Sequence, residues 1–357
     1  CCLDFLWLCQ NNQSSIYNHQ DKKWDQLKTN LVICGNAEKK LKKMPDDSVH
    51  LIYFDPPFFS ERKFDSFDDK WQNNLDAYLN VMTNVLVQCK RVLKKDGSLY
   101  LHCDVHASHY LKVELDKLFG RRNFRNEVIW KRHNAHNDTK QGAKLFGRIH
   151  DTIFHYSKSA KFTWNPMYEP YPEDYIKKYY KYVEAKTGRR YALGDVSGPG
   201  GASKGNPRYS FLGVTRYYRF NKKKMTLLYR KGKVIQRRKG LVPLQKRYLD
   251  EMPGIMLQDV WNDIKSAQVL KKEDVGYSTQ KPLKLLERII QISSNPKDIV
   301  LDCMCGSGTT LVASHNLGRK YIGIDSNFKA CQIARKRVRA RKTTRVTKRK
   351  LAYPVLP

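Results

Sequence analysis

Two short segments of this 357-residue chain carry side chains arranged for chemistry. The first, Asp55-Pro56-Pro57-Phe58, closes the apolar run Leu51-Ile52-Tyr53-Phe54. The exocyclic amine of a nucleobase is a poor nucleophile because its lone pair is delocalised into the ring. A carboxylate that accepts one N–H, with a nearby carbonyl that accepts the other, localises that lone pair on nitrogen. Asp55 can supply the carboxylate and the Pro56 carbonyl the second acceptor. The two prolines preset φ and stiffen the loop, which positioning requires. Phe58 offers a face on which an extruded base can stack, since a base inside a duplex is out of reach.

The second segment, Asp302-Cys303-Met304-Cys305-Gly306-Ser307-Gly308-Thr309-Thr310, follows the apolar run Ile299-Val300-Leu301. A strand ending in Asp302, then Gly306 and Gly308, then a helix from about Thr309 forms a cradle for a nucleotide. Glycines let the backbone approach the ligand, and the helix start offers unpaired N–H groups. A dinucleotide fingerprint would need a third glycine where Leu311 stands. A phosphate loop would need Gly-Lys-Ser/Thr, which is absent. The next strand ends in Gly323-Ile324-Asp325, an acid placed to hold ribose hydroxyls. The loop suits an adenosyl cofactor and the acid suits an amine. Together they suggest methyl transfer from S-adenosylmethionine to an amino nitrogen of a base. The acid precedes the glycine loop along the chain.

Alternating strands and helices must position these segments. Leu31 to Cys34 reads as a buried strand, followed by Gly35-Asn36 and a helix around Ala37 to Lys43. After the strand Leu51 to Phe54, the residues Leu75, Leu79, Met82, Leu86, Cys89 and Leu93 recur at helical spacing, and Asp96-Gly97 is expected to end that helix. Ser98 to His102 reads as a strand, Ala107 to Phe119 as a helix, and Glu127 to Trp130 and Thr152 to Tyr156 as two more strands. From about Lys161 to Gly276 the texture becomes rich in Tyr, Lys, Arg, Gly and Pro, with weak periodicity, as expected of an irregular DNA-facing insertion. The pattern resumes with a helix opened by Pro282, a strand from Asp298 to Leu301, a helix from Thr309 to Leu317, a strand from Tyr321 to Ile324 and a helix from Phe328 to Val338. Such alternation indicates a parallel-dominated α/β sheet.

Lys and Arg total 67 against 34 Asp and Glu, a net charge of +33 that favours a polyanionic partner. Ten Lys or Arg and no acid occur between Arg335 and Lys350. The nine Cys include no Cys-x-x-Cys pair, so zinc is not expected, and the scattered thiols suit a reducing compartment. No run of about 20 apolar residues points to a membrane span. The chain starts without Met, and residues 1–20 read as a fragment end or a misassigned start, outside the functional argument.

These motifs, in this order from about Leu31 to Val338, resemble the amino-group DNA methyltransferases in their permuted (β) arrangement. The shared stretches also include Gly97-Ser98-Leu99-Tyr100-Leu101-His102-Cys103-Asp104 and Gly276-Tyr277-Ser278-Thr279-Gln280-Lys281-Pro282. The resemblance implies a three-layer Rossmann-like AdoMet-dependent methyltransferase fold with circularly permuted motif order and an inserted target-recognition region. It divides the chain into a poorly defined segment 1–30, a catalytic half 31–160, a target-recognition insertion 161–276, a cofactor half 277–338 and a basic tail 339–357. It places Asp55, Pro56, Pro57 and Phe58 in catalysis. It places Asn36, Lys281, Pro282, Asp302, Cys303, Gly306, Gly308, Thr309 and Asp325 around S-adenosyl-L-methionine (AdoMet), with Lys281 and Pro282 flanking its methionine end. No catalytic metal is implied.

The expected partner is double-stranded DNA, with a homodimer and a partner restriction endonuclease left open, in a prokaryotic or phage-like cytoplasm. Asp at position 55 leans toward adenine N6 in this family, with cytosine N4 as the alternative. The C5 chemistry of cytosine needs a Cys in a Pro-Cys context, and no such dipeptide occurs. A catalytically silent DNA-binding relative, or an enzyme acting on RNA or protein amines, also stays open. Three features depart from the family pattern. Cys303 and Met304 stand where Pro and Phe are usual, Asn36 stands where Asp is common, and the basic tail is atypical.

Overall fold

The structure is a computed structural model that describes residues 27–64, 68–133, 144, 146–269 and 273–342. The segment before residue 27 and the basic tail beyond residue 342 lie outside the described residues. The chain forms two compact units. One runs up to Asn165 and resumes at Gln258, and the other spans Pro166–Leu257.

The first unit is built on eight strands: β1 (Leu31–Cys34), β2 (Val49–Phe54), β3 (Leu93–Cys103), β4 (Phe124–Lys131), β5 (His150–Ser157), β6 (Val260–Trp261), β7 (Ile299–Asp302) and β8 (Lys320–Asp325). Their order in the sheet is β1-β8-β7-β2-β3-β5-β4-β6. Neighbours are parallel except at β5, which runs antiparallel to both β3 and β4. Helices α1 (Ala37–Leu41), α2 (Leu75–Val92) and α3 (Ser108–Phe119) cover one face. Helices α4 (Leu283–Ser293), α5 (Thr309–Asn316) and α6 (Phe328–Lys342) form the third layer. The alternation in β8 shows how one strand serves both layers. Ile322 and Ile324 join the core beneath α1–α3, whereas Tyr321 packs with Leu311, Val312 and Ala334 on the other side. Each fully buried aliphatic or aromatic side chain contributes about 1.5–3 kcal/mol. That term holds the layers together.

Helix α2 ends one residue earlier than its apolar spacing suggests. Leu93 is already extended (φ −69°, ψ 134°) and begins β3. The Asp96-Gly97 pair therefore lies inside a strand, beside the register shift between Val49 and Leu51. A Cβ on Gly97 would stand 2.6 Å from Leu93 Cδ1 and 2.8 Å from the His50 carbonyl, so only glycine fits this irregularity.

The second unit is more regular than its composition suggests. Strands Val234–Ile235, Leu244–Tyr248, Arg190–Asp195 and Tyr182–Val183 form an antiparallel sheet in that order. A hairpin pairs Arg208–Phe211 with Val214–Tyr217, and a small core gathers Val196, Phe211, Tyr218, Met225 and Val234. The unit is shorter than the insertion expected over 161–276. Phe162 and Trp164 pack on His155 of β5, and Val260–Trp261 pair with β4 in the main sheet. No helix among the described residues is long and apolar enough to cross a membrane.

Candidate active site

β7 and β2 are parallel neighbours, but the winding of the chain reverses between them, β7 leading on to β8 on one side and β2 to β3 on the other. The chain leaves β2 toward α2 on one face and leaves β7 toward α5 on the other, so a crevice opens beyond the carboxyl ends of these strands. Register brings the expected residues to this edge. Asp302 lies opposite both Tyr53 and Gly323, and Cys34 lies opposite Asp325. A cavity of about 980 Å³ occupies the crevice, at the upper end of the range for small-molecule sites. It is lined by Asp55, Pro56, Pro57 and Phe58 on one side and by Asn36, Cys303, Gly306, Thr309 and Asp325 on the other, with Lys281 and Asp302 also in its wall. Pro282 and Gly308 do not line it. Pro282 caps α4, and Gly308 (φ +78°) caps α5, where a Cβ would meet Ala334 Cβ at 2.7 Å.

On the acid side, Asp55 Oδ2 accepts a hydrogen bond from Lys281 Nζ at 2.6 Å. Asp55 Oδ1 is buried and has no hydrogen-bond partner. A buried acceptor left empty costs about 1–3 kcal/mol, and such a group calls for an explanation. Lys281 was expected beside a cofactor; here its ammonium pairs with Asp55 and lies 5.2 Å from the Phe58 ring centre. Tyr78 Oη donates to the Pro57 carbonyl at 2.8 Å. Among the described residues nothing donates to the Pro56 carbonyl. Phe58 stacks on His102 at 5.9 Å between ring centres.

His102 is itself locked at both nitrogens. Its Nδ1 faces the Tyr53 hydroxyl at 2.6 Å and its Nε2 faces Asp151 Oδ2 at 3.0 Å. These partners assign the proton to Nε2. Burial, reinforced by the Asp55, Asp302 and Asp151 charges, holds the Tyr53 hydroxyl far above its ordinary pKa, so it remains a donor. Burial alone would raise Asp151 as well. The hydrogen bond from His102 and the Arg132 charge nevertheless bring it below the usual carboxylate value.

On the glycine side, Asp325 Oδ2 accepts the Gly306 N–H and Oδ1 the Asn327 N–H, each at 2.8 Å. Gly306 (φ +48°) approaches Tyr277 so closely that a Cβ would lie 3.2 Å from the ring. Arg337 Nη1 donates to the Ser307 carbonyl at 2.8 Å and so ties α6 to the loop. Cys303 is fully buried, with its Sγ turned to Cys89 Sγ at 3.8 Å. Met304 packs against the main core.

Asp302 is fully buried and accepts from Thr310 Oγ1 at 2.5 Å. Burial, with the Asp55 and Asp325 charges adding, pushes its carboxyl up to about 7. Its folded pKa thus exceeds its unfolded value. Between about pH 4 and 7 the folded chain keeps a proton that the unfolded chain has released, and stability falls as pH rises through that window. The melting-temperature difference, wild type minus Asp302→Asn, should therefore shrink from pH 5 to pH 8 in calorimetry without ligand. A constant difference would place the Asp302 charge in solvent.

Sequence reasoning misses several residues in this wall and behind it: Tyr53, Asp69, Asp151 and Tyr277 line the cavity, and His102 and Tyr78 brace its loop from behind. His102 and Tyr277 stood inside recognised stretches without a role. Tyr53 reads from sequence only as part of a strand. Asp69, Tyr78 and Asp151 carried no local signal at all.

The glycine loop and the acid–proline loop thus face each other across one crevice, at the point where the strand order reverses. Residues 49–336 match the DNA methylase family, and the chain belongs to that family. It is 32% identical over 80% of its length to the type II methyltransferase M.EcaI of Enterobacter cloacae, of which it spans 64%. It is 30% identical over 86% of its length to the DNA adenine methyltransferase YhdJ of Escherichia coli (strain K12), of which it spans 82%. Among solved structures, the cytosine-N4-specific PvuII DNA methyltransferase aligns over 86% of this chain and 85% of its own, at 16% identity and a TM-score of 0.47. That likeness is too loose to bear on the chemistry.

Proposed function

We propose that this chain transfers a methyl group from AdoMet to the exocyclic N6 of adenine in double-stranded DNA, on a base turned out of the helix. The observation that carries the reading is the buried Asp55 Oδ1, which has no hydrogen-bond partner, in a loop whose Pro56 carbonyl accepts no hydrogen bond among the described residues. The two acceptors suit the two N–H bonds of one amino group. The preference for adenine rests on Asp at position 55 and on the named activity of the Escherichia coli relative.

The cavity fits the cofactor on three counts. Gly306 leaves a surface that any side chain would close against Tyr277. Asp325, in the cavity wall beside the Gly306 loop, would hold the ribose hydroxyls. The carboxylates of Asp325 and Asp55 in the wall suit a ligand that carries sulfonium and ammonium charges. When bound, AdoMet supplies an electrophilic methyl group. The chain's own residues do the rest. Asp55 and the Pro56 carbonyl draw the amino protons and raise electron density on nitrogen, and Asp55 Oδ1 is the acceptor facing the proton that nitrogen must shed. Lys281 keeps Asp55 in place, and Phe58, braced by His102, holds the base. Preorganised groups of this kind act without reorganisation cost at the moment of reaction.

In the same proposal, residues 31–160 act on the base, 277–338 hold the cofactor and 161–276 select the target. A partner restriction endonuclease and a homodimer belong to it as well, and co-purification and sedimentation test them. Asp325→Ala should weaken AdoMet binding roughly 10- to 150-fold, the worth of about 1.5–3 kcal/mol of charge-assisted hydrogen bonding. Calorimetry checks this, and an unchanged dissociation constant would remove Asp325 from the ribose. The function as a whole is tested by methylome sequencing of DNA from cells expressing the chain. N6-methyladenine in one sequence context is expected. N4-methylcytosine would move the target base, and unmodified DNA from cells holding folded, AdoMet-competent protein would overturn the reading.

A further inference from the structure

We propose that Asp69 is a positioning residue for this reaction, holding the acid–proline loop in its working shape; the inference rests on the methyl-transfer function proposed above. Asp69 is 1% exposed, and five donors converge on its carboxylate. Oδ2 accepts from Phe58 N at 3.2 Å, Ser60 N at 2.8 Å and Ser60 Oγ at 2.6 Å. Oδ1 accepts from Phe59 N at 3.2 Å and Trp71 Nε1 at 3.0 Å. A buried carboxylate persists only where charges or hydrogen bonds replace its lost hydration. Here three of the replacements are consecutive backbone amides of the loop that carries Phe58.

The loop needs such an anchor. Phe59 (φ +60°) and Glu61 (φ +55°) adopt left-handed backbone that bulky residues avoid. Without the carboxylate these residues are free to relax, and Phe58 moves with them. The opposite polarity of the same loop is pinned at the Pro57 carbonyl by Tyr78, which also packs edge-on against Trp71. Asp69 and Tyr78 together clamp residues 57–60 from both the N–H and the C=O side. Both Asp69 oxygens are filled, so the residue acts through Phe58 and not as a second acid. A displacement of about 1 Å at a positioned group costs on the order of 100-fold in rate.

Asp69→Asn tests this with almost no change of volume. An amide cannot accept at both ends, so its NH₂ must face at least two N–H or O–H donors. The probe is tritiated AdoMet with genomic DNA that lacks methylation in the context found by methylome sequencing. The expected result is a kcat lower by roughly 10- to 100-fold, with KM for DNA and the AdoMet dissociation constant within about threefold of wild type. A kcat within twofold of wild type, or a loss expressed wholly in KM or cofactor binding, overturns the proposal. If the Asn variant no longer binds AdoMet, the Ser60→Ala/Trp71→Phe double variant decides, because it keeps the carboxylate and removes two of its five donors. A lower kcat with intact cofactor binding supports the role, and a wild-type kcat ends it. A wild-type protein without any incorporation would instead refute the methyl-transfer function itself.

Discussion

Replacing Asp55 by alanine should lower the single-turnover rate of methyl transfer by about 100-fold or more, while AdoMet binds within a few-fold of wild type. The two halves of the expectation follow from where the oxygens point. Among the described residues Oδ1 has no hydrogen-bond partner and is the acceptor the proposal assigns to the amine, whereas Oδ2 is held by Lys281. The groups placed to hold the cofactor, Asp325 and the Gly306 loop, bond to each other and not to Asp55. Removing Asp55 also strands Lys281, whose side chain is only 12% exposed, so part of the cost should appear as lowered stability. Asp55→Asn separates the terms, since it keeps volume and one acceptor while losing the charge that pairs with Lys281. Quench-flow with tritiated AdoMet reads the chemical step and calorimetry reads the cofactor. Parallel losses in both would take Asp55 off the amine and assign it to the cofactor.

Arg288→Met should cost about 3 kcal/mol of folding stability, the lower end for breaking one side of a buried ion pair, and lower the melting temperature by roughly 4–6 °C. Arg288 is 1% exposed and meets Asp263 through Nη1 at 2.9 Å and Nη2 at 2.6 Å, with its guanidinium 5.0 Å from the Trp261 ring. The lower end applies because Asp263 is partly exposed and keeps Lys284 as a partner. Burial alone would raise the Asp263 carboxyl, yet the Arg288 and Lys284 bonds hold it well below the ordinary carboxylate value. A depressed folded pKa means that the pair stabilises fully above about pH 4 and loses its contribution as pH falls further. The gap between wild type and variant should therefore narrow in acid. The site feels the change because α4 begins directly after Lys281 and Pro282. A variant that melts with wild type would show that Met packs the Arg288 position as well as the ion pair does.

Several elements could be read from local sequence because their signals are local. The apolar runs before Asp55, Asp302 and Asp325 became adjacent parallel strands. The helical spacing from Leu75 became α2. The glycine loop became a turn into α5, with both glycines at positive φ. The boundary at Leu93 did not follow periodicity, because strand pairing with β2 outweighed the continuing helical pattern. The insertion looked irregular because its strands are short and its core is small, so few residues carry each period.

Chain composition and motif order by themselves pointed to the class of chemistry and the family, and eleven of the thirteen expected site residues line the cavity. Backbone demands are written locally: glycine where φ is positive, proline where a loop must be stiff, an acid where a strand ends. Partnership is not written locally. Lys281 reaches Asp55 across 226 positions. His102 is fixed between Tyr53 and Asp151, and Asp69 was one acid among Asp65, Asp68 and Asp69 with nothing in the sequence to single it out. Only the tertiary structure decided these pairings. A buried charge or hydrogen-bonding group takes whichever partner the packed sheet brings within about 3 Å, and that depends on the register of strands and loops far apart in the chain.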